Sequence, residues 1–127
     1  IEINTNINID TELYISGNVN WFKQIIINLI DNAIKYNKEN GKVTIEAYQE
    51  NKKIYIIIED TGIGINEKHL DRLFERFYRV DKSRSKTVGG TGLGLAIVKH
   101  ALMNLNGSID VESKEKIGTK FTIQISI

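Results

Sequence analysis

VTIEAYQENKKIYIIIEDTGIG, residues 43–64, holds two strand-like runs and the polar break between them. Residues 43–48 alternate, with Val43, Ile45 and Ala47 on one side and Thr44, Glu46 and Tyr48 on the other, the period of a half-buried strand. Gln49-Glu50-Asn51-Lys52 is a hairpin signal, and residues 54–60 resume as a strand that is almost wholly apolar from Ile54 to Ile58. Such a run suits a central strand covered on one face and well flanked on the other. It ends abruptly in Asp60-Thr61-Gly62-Ile63-Gly64, a carboxylate followed by two glycines.

Outward from this hairpin, the chain alternates helices with more strand. Residues 1–10 carry Ile1, Ile3, Ile7 and Ile9 against Glu2, Asn4, Asn8 and Asp10, a strand with an expected break near Thr5, and 13–16 reads as a second short strand. Asn18 is placed to cap a helix over 19–36, where apolar residues recur at 22, 26, 29, 30 and 33. Residues 37–42 form a polar turn ending at Gly41. Asn66 can cap a short helix, with a further turn or two over 70–77, and 79–93 has no regular period. A last helix is expected from Gly94 to Asn106, with Leu95, Val98, Leu102 and Leu105 on one stripe and Gly107 as its stop. Strands over 108–112 and 119–127 flank a turn at Gly118. These elements predict an α+β domain over 1–127: a mixed, mostly antiparallel sheet of about five strands with about three helices on one face, two layers in all.

Composition sets the outer limits. The 127 residues are 41% hydrophobic and 26% charged, which excludes a disordered chain, and no apolar run approaches the length that spans a bilayer. There is no Cys, so disulfides, thiolate metal sites and cysteine nucleophiles are absent, and two histidines make a histidine zinc site a poor fit. A net charge of +1 gives no global case for nucleic acid.

Three stretches could carry chemistry. In QIIINLIDNAIKYN (24–37), Asn28, Asn32, Lys35 and Tyr36 share one helix face. A solvated polar face is one reading, but Asn is a weak helix former, and its side-chain oxygen suits a hard cation while Lys suits phosphate. Asp60–Gly64 reads either as a capped turn or as a carboxylate able to accept from an exocyclic amine such as adenine's, with glycines that admit a flat base. Gly89-Gly90-Thr91-Gly92-Leu93-Gly94-Leu95 runs into a helix, where free backbone N–H groups can hold an anion, although neither the Gly-x4-Gly-Lys-Ser/Thr nor the GxGxxG pattern is present. Just before it, residues 76–86 gather five basic side chains and one acidic. A polyanion suits that concentration; nucleic acid does not, for want of interleaved aromatics beyond Phe77 and Tyr78.

Taken together and in this order, 28–36, 60–64, 74–79 and 90–94 resemble the N, G1, F and G2 boxes of the Bergerat-fold ATPases, specifically the catalytic ATP-binding domain of bacterial sensor histidine kinases. FERFYRVDKSRS (74–85) followed by GGTGLGLAIVK (89–99) is the most specific part, and Gly118-Thr119-Lys120-Phe121 is similar to the family's last glycine motif. The likeness is to the phosphate-sensor or cell-wall-sensor type and covers essentially the whole chain. It implies ATP and Mg²⁺ as ligands. Asn32 would hold the metal with Asn28 nearby, Lys35 would reach phosphate, and Tyr36 would lie against adenine. Asp60 would accept from the adenine amine, with Gly62, Gly64, Ile65 and Thr119 shaping that pocket. Phe74 and Phe77 would anchor a lid over 79–93, from which Arg79 and Arg84 reach the γ-phosphate. Gly90, Thr91, Gly92, Leu93, Gly94 and Leu95 would close over the phosphates.

The same resemblance separates two kinds of relative. Hydrolytic members (the gyrase B subunit, the MutL repair protein, the ninety-kilodalton chaperone) carry Glu one turn before the metal-binding Asn, where it activates water. Here that position is Asn28, and an amide takes no proton from water at neutral pH. The expected catalytic set is therefore Asn28, Lys35, Arg79 and Arg84, working in phosphoryl transfer to a histidine rather than to water. The acceptor motif contains His, Glu and a downstream Pro; this chain has no Pro, and its histidines lie in EKHLDR and VKHALM. The expected partners are thus a separate dimerisation hairpin of the same kinase and, downstream, a response regulator, with the domain cytoplasmic and its full-length protein anchored in the bacterial membrane. The alternative is a stand-alone regulator of the same fold, such as an anti-sigma-factor serine kinase.

Overall fold

The structure is a computed structural model and describes residues 1–8, 19–76, 78 and 94–126. Its elements are β1 (Glu2–Asn8), α1 (Val19–Lys35), β2 (Lys42–Glu50), β3 (Lys53–Asp60), a 3₁₀ helix (Glu67–Arg72), α2 (Gly94–Asn104), β4 (Gly107–Lys114) and β5 (Gly118–Ser126). The sheet order is β1-β2-β3-β5-β4. β1 and β2 are parallel, which requires a crossover that α1 supplies, and the other three pairs are antiparallel. The expected α+β architecture, a mixed five-stranded sheet with helices, is what forms among the described residues.

The strand alternation sorts the sheet into two faces. Val43 and Ala47 of β2, Ile54, Ile56 and Ile58 of β3, and Phe121, Ile123 and Ile125 of β5 are buried beneath the helices. α1 covers them with Ile25, Leu29 and Ala33, one turn apart, and α2 with Val98, Ala101 and Leu102. The opposite face carries Thr44, Glu46, Ile57, Glu59 and Lys120. Tyr48 and Tyr55, cross-strand partners there, stack with ring centroids 4.9 Å apart. Among the described residues, no helix is long and apolar enough to cross a membrane.

Three boundaries differ from the sequence expectation, each for a packing reason. β1 does not break at Thr5, because Thr5 pairs with Ile45 inside an unbroken parallel ladder. As an edge strand it leaves Ile3 and Ile7 half to two-thirds exposed (50% and 67%), so their alternation marks the sheet plane, not deep burial. α2 ends at Asn104, and the left-handed residue that turns the chain is Asn106 (φ 56°), not Gly107. Asn tolerates that conformation, while Gly107 is used inside β4, where a Cβ would sit 2.9 Å from both the Gln124 carbonyl and Leu102 Cδ2. The turn expected at Gly118 falls at residues 115–117, with Lys116 left-handed, and Gly118 opens β5. Asn66 does cap as expected, its side chain accepting from the Lys68 N–H at 3.0 Å, although the helix it starts is 3₁₀. The expected strand over 13–16 and the Asn18 cap lie outside the described residues.

The β2–β3 hairpin closes on the Glu50–Lys53 pair, leaving a two-residue loop of Asn51 and Lys52 with φ of 50° and 64°. Positive φ at both positions is the type I′ arrangement that matches strand twist, and its second position favours Gly. Lys52→Gly is therefore expected to stabilise the domain by about 1 kcal/mol, read as a higher urea midpoint with an unchanged slope.

Candidate nucleotide site

The site is built where β3 ends. Asp60 is buried, and the backbone N–H groups of Gly62 (2.8 Å to Oδ1) and Thr119 donate to its carboxylate. Burial pushes its carboxyl above the ordinary carboxylate value, the neighbouring Glu59 charge adds to this, and the two N–H donors pull the other way without cancelling it. A buried acceptor with capacity left over is suited to a donor that arrives from outside.

The loop after Asp60 lies directly on the end of α1. A Cβ on Gly62 would come within 2.3 Å of the Tyr36 carbonyl oxygen, and the Ile63 N–H donates to that same oxygen at 3.0 Å. Gly64 (φ 70°) passes under the β4–β5 turn, where a Cβ would meet the Lys114 carbonyl at 2.0 Å, and Lys116 N–H donates to the Ile63 carbonyl at 2.7 Å. Both glycines are thus required by close backbone approach, which in turn places the loop between helix and sheet. Gly118 makes the third such approach, since a Cβ there would stand 1.9 Å from the Asp60 carbonyl oxygen.

Residues that the sequence reading passed over hold this loop. Asn37 is buried; its Nδ2 donates to the Lys42 carbonyl at 3.1 Å, and its Oδ1 accepts from the Lys38 N–H at 2.9 Å. The Thr61 hydroxyl accepts from the Lys42 N–H at 2.8 Å and lies 3.4 Å from Asn37 Oδ1, while the Thr61 N–H donates to the Lys42 carbonyl. On the other side, the Ile65 N–H donates to Ser113 Oγ at 2.8 Å. An Asn directly after a helix and a Thr between Asp and Gly are the only sequence traces of this scaffold; Ser113 had none.

The polar face of α1 borders the same place. Asn28, Asn32, Lys35 and Tyr36 are all half-buried. Asn28 Nδ2 donates to the Gln24 carbonyl at 2.8 Å, leaving Oδ1 directed at Gly94, where a Cβ would be 3.3 Å away. Gly94 begins α2, so the one described end of the 89–95 glycine run is set beside Asn28, with Leu95 packed on the core. Asn32 has no side-chain partner among the described residues. Lys35 is held by Asp31 at 2.9 Å, an exposed i,i+4 pair worth only a few tenths of a kcal/mol, about 0.3–0.5. Phe74 is fixed against Phe121 in a T-shaped contact, with Lys99 over its ring. Phe77, Arg79, Arg84, Gly90, Thr91, Gly92 and Leu93 lie outside the described residues. The two histidines stand elsewhere: His69 Nδ1 meets the Tyr78 hydroxyl, and His100 packs edge-on to Trp21.

This arrangement has close counterparts. Residues 17–127 match the family of histidine kinase-, DNA gyrase B-, and HSP90-like ATPases. The chain is 42% identical over 118 residues to the sensor histidine kinase WalK of Bacillus subtilis, covering 91% of this chain and 19% of that protein. It is 46% identical over 95 residues to the phosphate regulon sensor protein PhoR of Pseudomonas aeruginosa, covering 75% and 21%. Among solved structures, a mycobacterial sensor histidine kinase, MprB, superposes with a TM-score of 0.83 at 29% identity over 98% of this chain and 83% of that one. The chain belongs to this ATPase family. Within it, the chain is an ATP-binding catalytic domain of the sensor-histidine-kinase kind, and the stand-alone regulator is not favoured. It spans about a fifth of the length of these two curated relatives.

The raised Asp60 carboxyl has a pH consequence. The folded state keeps this proton to a higher pH than the unfolded chain does, so the group's contribution to stability is fullest in acid and is lost as pH rises through its folded value. The stability of the nucleotide-free wild type relative to Asp60→Asn should therefore decline as pH rises above the ordinary aspartate range. Urea titrations of both proteins over that rise check the slope; a flat difference contradicts it.

Proposed function

We propose that this domain binds Mg²⁺-ATP and donates the γ-phosphate to a histidine on a separate dimerisation hairpin of the same kinase. The observation that carries the reading is the buried, N–H-braced Asp60 at the strand end, facing the loop packed on α1. A carboxylate there accepts from adenine's exocyclic amine, with Gly62, Gly64, Ile65, Tyr36 and Thr119 around the base. Asn32 fits a hard cation: its amide is half-buried and has no partner among the described residues, and Asn28 Oδ1 lies one turn away. The ion would neutralise triphosphate charge, the larger part of what phosphoryl transfer asks of a protein. Lys35 leaves its weak pair with Asp31 to meet phosphate at little cost. Arg79 and Arg84 supply further positive charge to the γ-phosphate, and Gly90, Thr91, Gly92, Leu93, Gly94 and Leu95 close over the phosphates.

Asn28 decides the fate of the phosphoryl group. The amide at this position takes no proton from water, so the group is kept for an imidazole acceptor. That acceptor belongs to the hairpin, a response regulator takes the phosphoryl group onward, and the full protein is a membrane-anchored kinase whose catalytic domain is cytoplasmic. No nucleic acid is involved.

Calorimetry with ATP and GTP tests the site. Asp60→Asn should weaken ATP binding by one to two orders of magnitude, because a buried group left without its partner costs about 1–3 kcal/mol. Equal binding of ATP and GTP, or no loss in the variant, contradicts the assignment. Chemistry is tested separately: the domain alone should release phosphate from ATP negligibly, yet phosphorylate its cognate hairpin in trans to an acid-labile, base-stable product. Asn32→Ala should abolish that transfer, whereas His69→Ala and His100→Ala should leave it intact. Rapid phosphate release would instead favour the hydrolytic branch of the family.

A further inference from the structure

Asp60, Thr119 and Ser113 are successive cross-strand partners in one row, running β3, β5, β4 across the end of the sheet. Three polar atoms surround Ser113 Oγ: the Ile65 N–H at 2.8 Å, the Gly118 carbonyl oxygen at 2.9 Å and Thr119 Oγ1 at 2.8 Å. Counting protons leaves one arrangement. The Ile65 N–H can only donate, and the Gly118 carbonyl can only accept, so the single Ser113 proton points at Gly118. Two oxygens at 2.8 Å need a proton between them, and the one remaining is that of Thr119. Ser113 is then saturated, with one bond donated and two accepted. Thr119, itself buried, has spent its proton and presents lone pairs alone.

The geometry points to Ser113 as a specificity-determining positioning residue: by taking the Thr119 proton, it turns the Asp60–Thr119 row into a wall of acceptors that selects a purine with an amine at C6 over one with a carbonyl there. This rests on the reading of Asp60 as the base-recognising group. An amine donates to that row. A carbonyl in the same place meets lone pairs on both residues, and a hydroxyl free to rotate would relieve the mismatch by donating to it. Ser113 touches no base; it acts through Thr119, whose own rotation it forbids.

The test is the ratio of ATP to GTP affinity, measured by calorimetry on the domain, with thermal denaturation alongside. Ser113→Ala frees the Thr119 hydroxyl, so the ratio should fall by about tenfold, mainly through tighter GTP binding. Ser113→Thr keeps a hydroxyl on the same strand and should restore the wild-type ratio. A lower melting temperature in Ser113→Ala is expected from the lost bonds to Ile65 and Gly118, but a purely structural role would lower both affinities together and leave the ratio alone. That outcome overturns the inference. If Ser113→Ala does not fold, Thr119→Val replaces it: loss of the acceptor should weaken ATP more than GTP, and an unchanged ratio refutes the proposal. A wild type with no preference for ATP would overturn the base reading itself, and this inference with it.

Discussion

Burying a carboxylate at the end of an apolar strand is costly, and the architecture around Asp60 is what makes it tolerable. Ile54, Ile56 and Ile58 carry β3 into the core, and the next inward-facing position in the alternation is occupied by Asp60. The N–H donors of Gly62 and Thr119 compensate part of the desolvation but not all of it, which is why the carboxyl stays raised. In the function proposed above, a nucleotide amine would supply what is missing. The site is in this sense completed by its ligand, a common reason for tolerating a strained or under-satisfied group at a functional position.

Holding those donors in place depends on three close backbone approaches. Gly62 against the Tyr36 carbonyl, Gly64 under Lys114 and Gly118 against the Asp60 carbonyl bring helix, loop and three strands together at distances that leave no room for a Cβ. The polar scaffold of Asn37, Thr61 and Lys42 ties the same loop to the end of α1, so the Asp60 carboxylate and the Asn28–Asn32–Lys35 face share one framework. If the proposed assignment holds, a shift of the loop on α1 would change adenine recognition and phosphate positioning together. Phosphoryl transfer is governed by positioning, so in the proposed function rigidity here would be a catalytic property as well as a structural one.

Much of this was legible in advance because local chemistry and periodicity agree. Alternation in 43–48, the isoleucine run of β3 and the apolar spacing at 22, 26, 29, 30 and 33 announce strand, central strand and amphipathic helix without any tertiary information, although the innermost stripe proves to be Ile25, Leu29 and Ala33. Asp60 followed by glycines, and two asparagines one helical turn apart, mark the two halves of the proposed site by residue types that are out of place in ordinary secondary structure. The exceptions are instructive. The local pattern makes Gly107 a helix stop, yet Asn106 serves that role and Gly107 is demanded by Leu102 and by Gln124 of the neighbouring strand. Gly118 likewise answers to Asp60 across the sheet and not to its own turn.

From its own order of residues, the chain determines its elements, its core and the types of group brought to the site, because helix and strand periods and residue chemistry are local properties. Which of those groups meet, and in what protonation and hydrogen-bond polarity, is decided only when β3, β4, β5 and α1 converge. Ser113 shows the difference. Along the sequence it is one serine in an alternating edge strand, and only its contacts with Ile65, Gly118 and Thr119 settle where its proton goes, because a hydroxyl's direction is set by every neighbour at once.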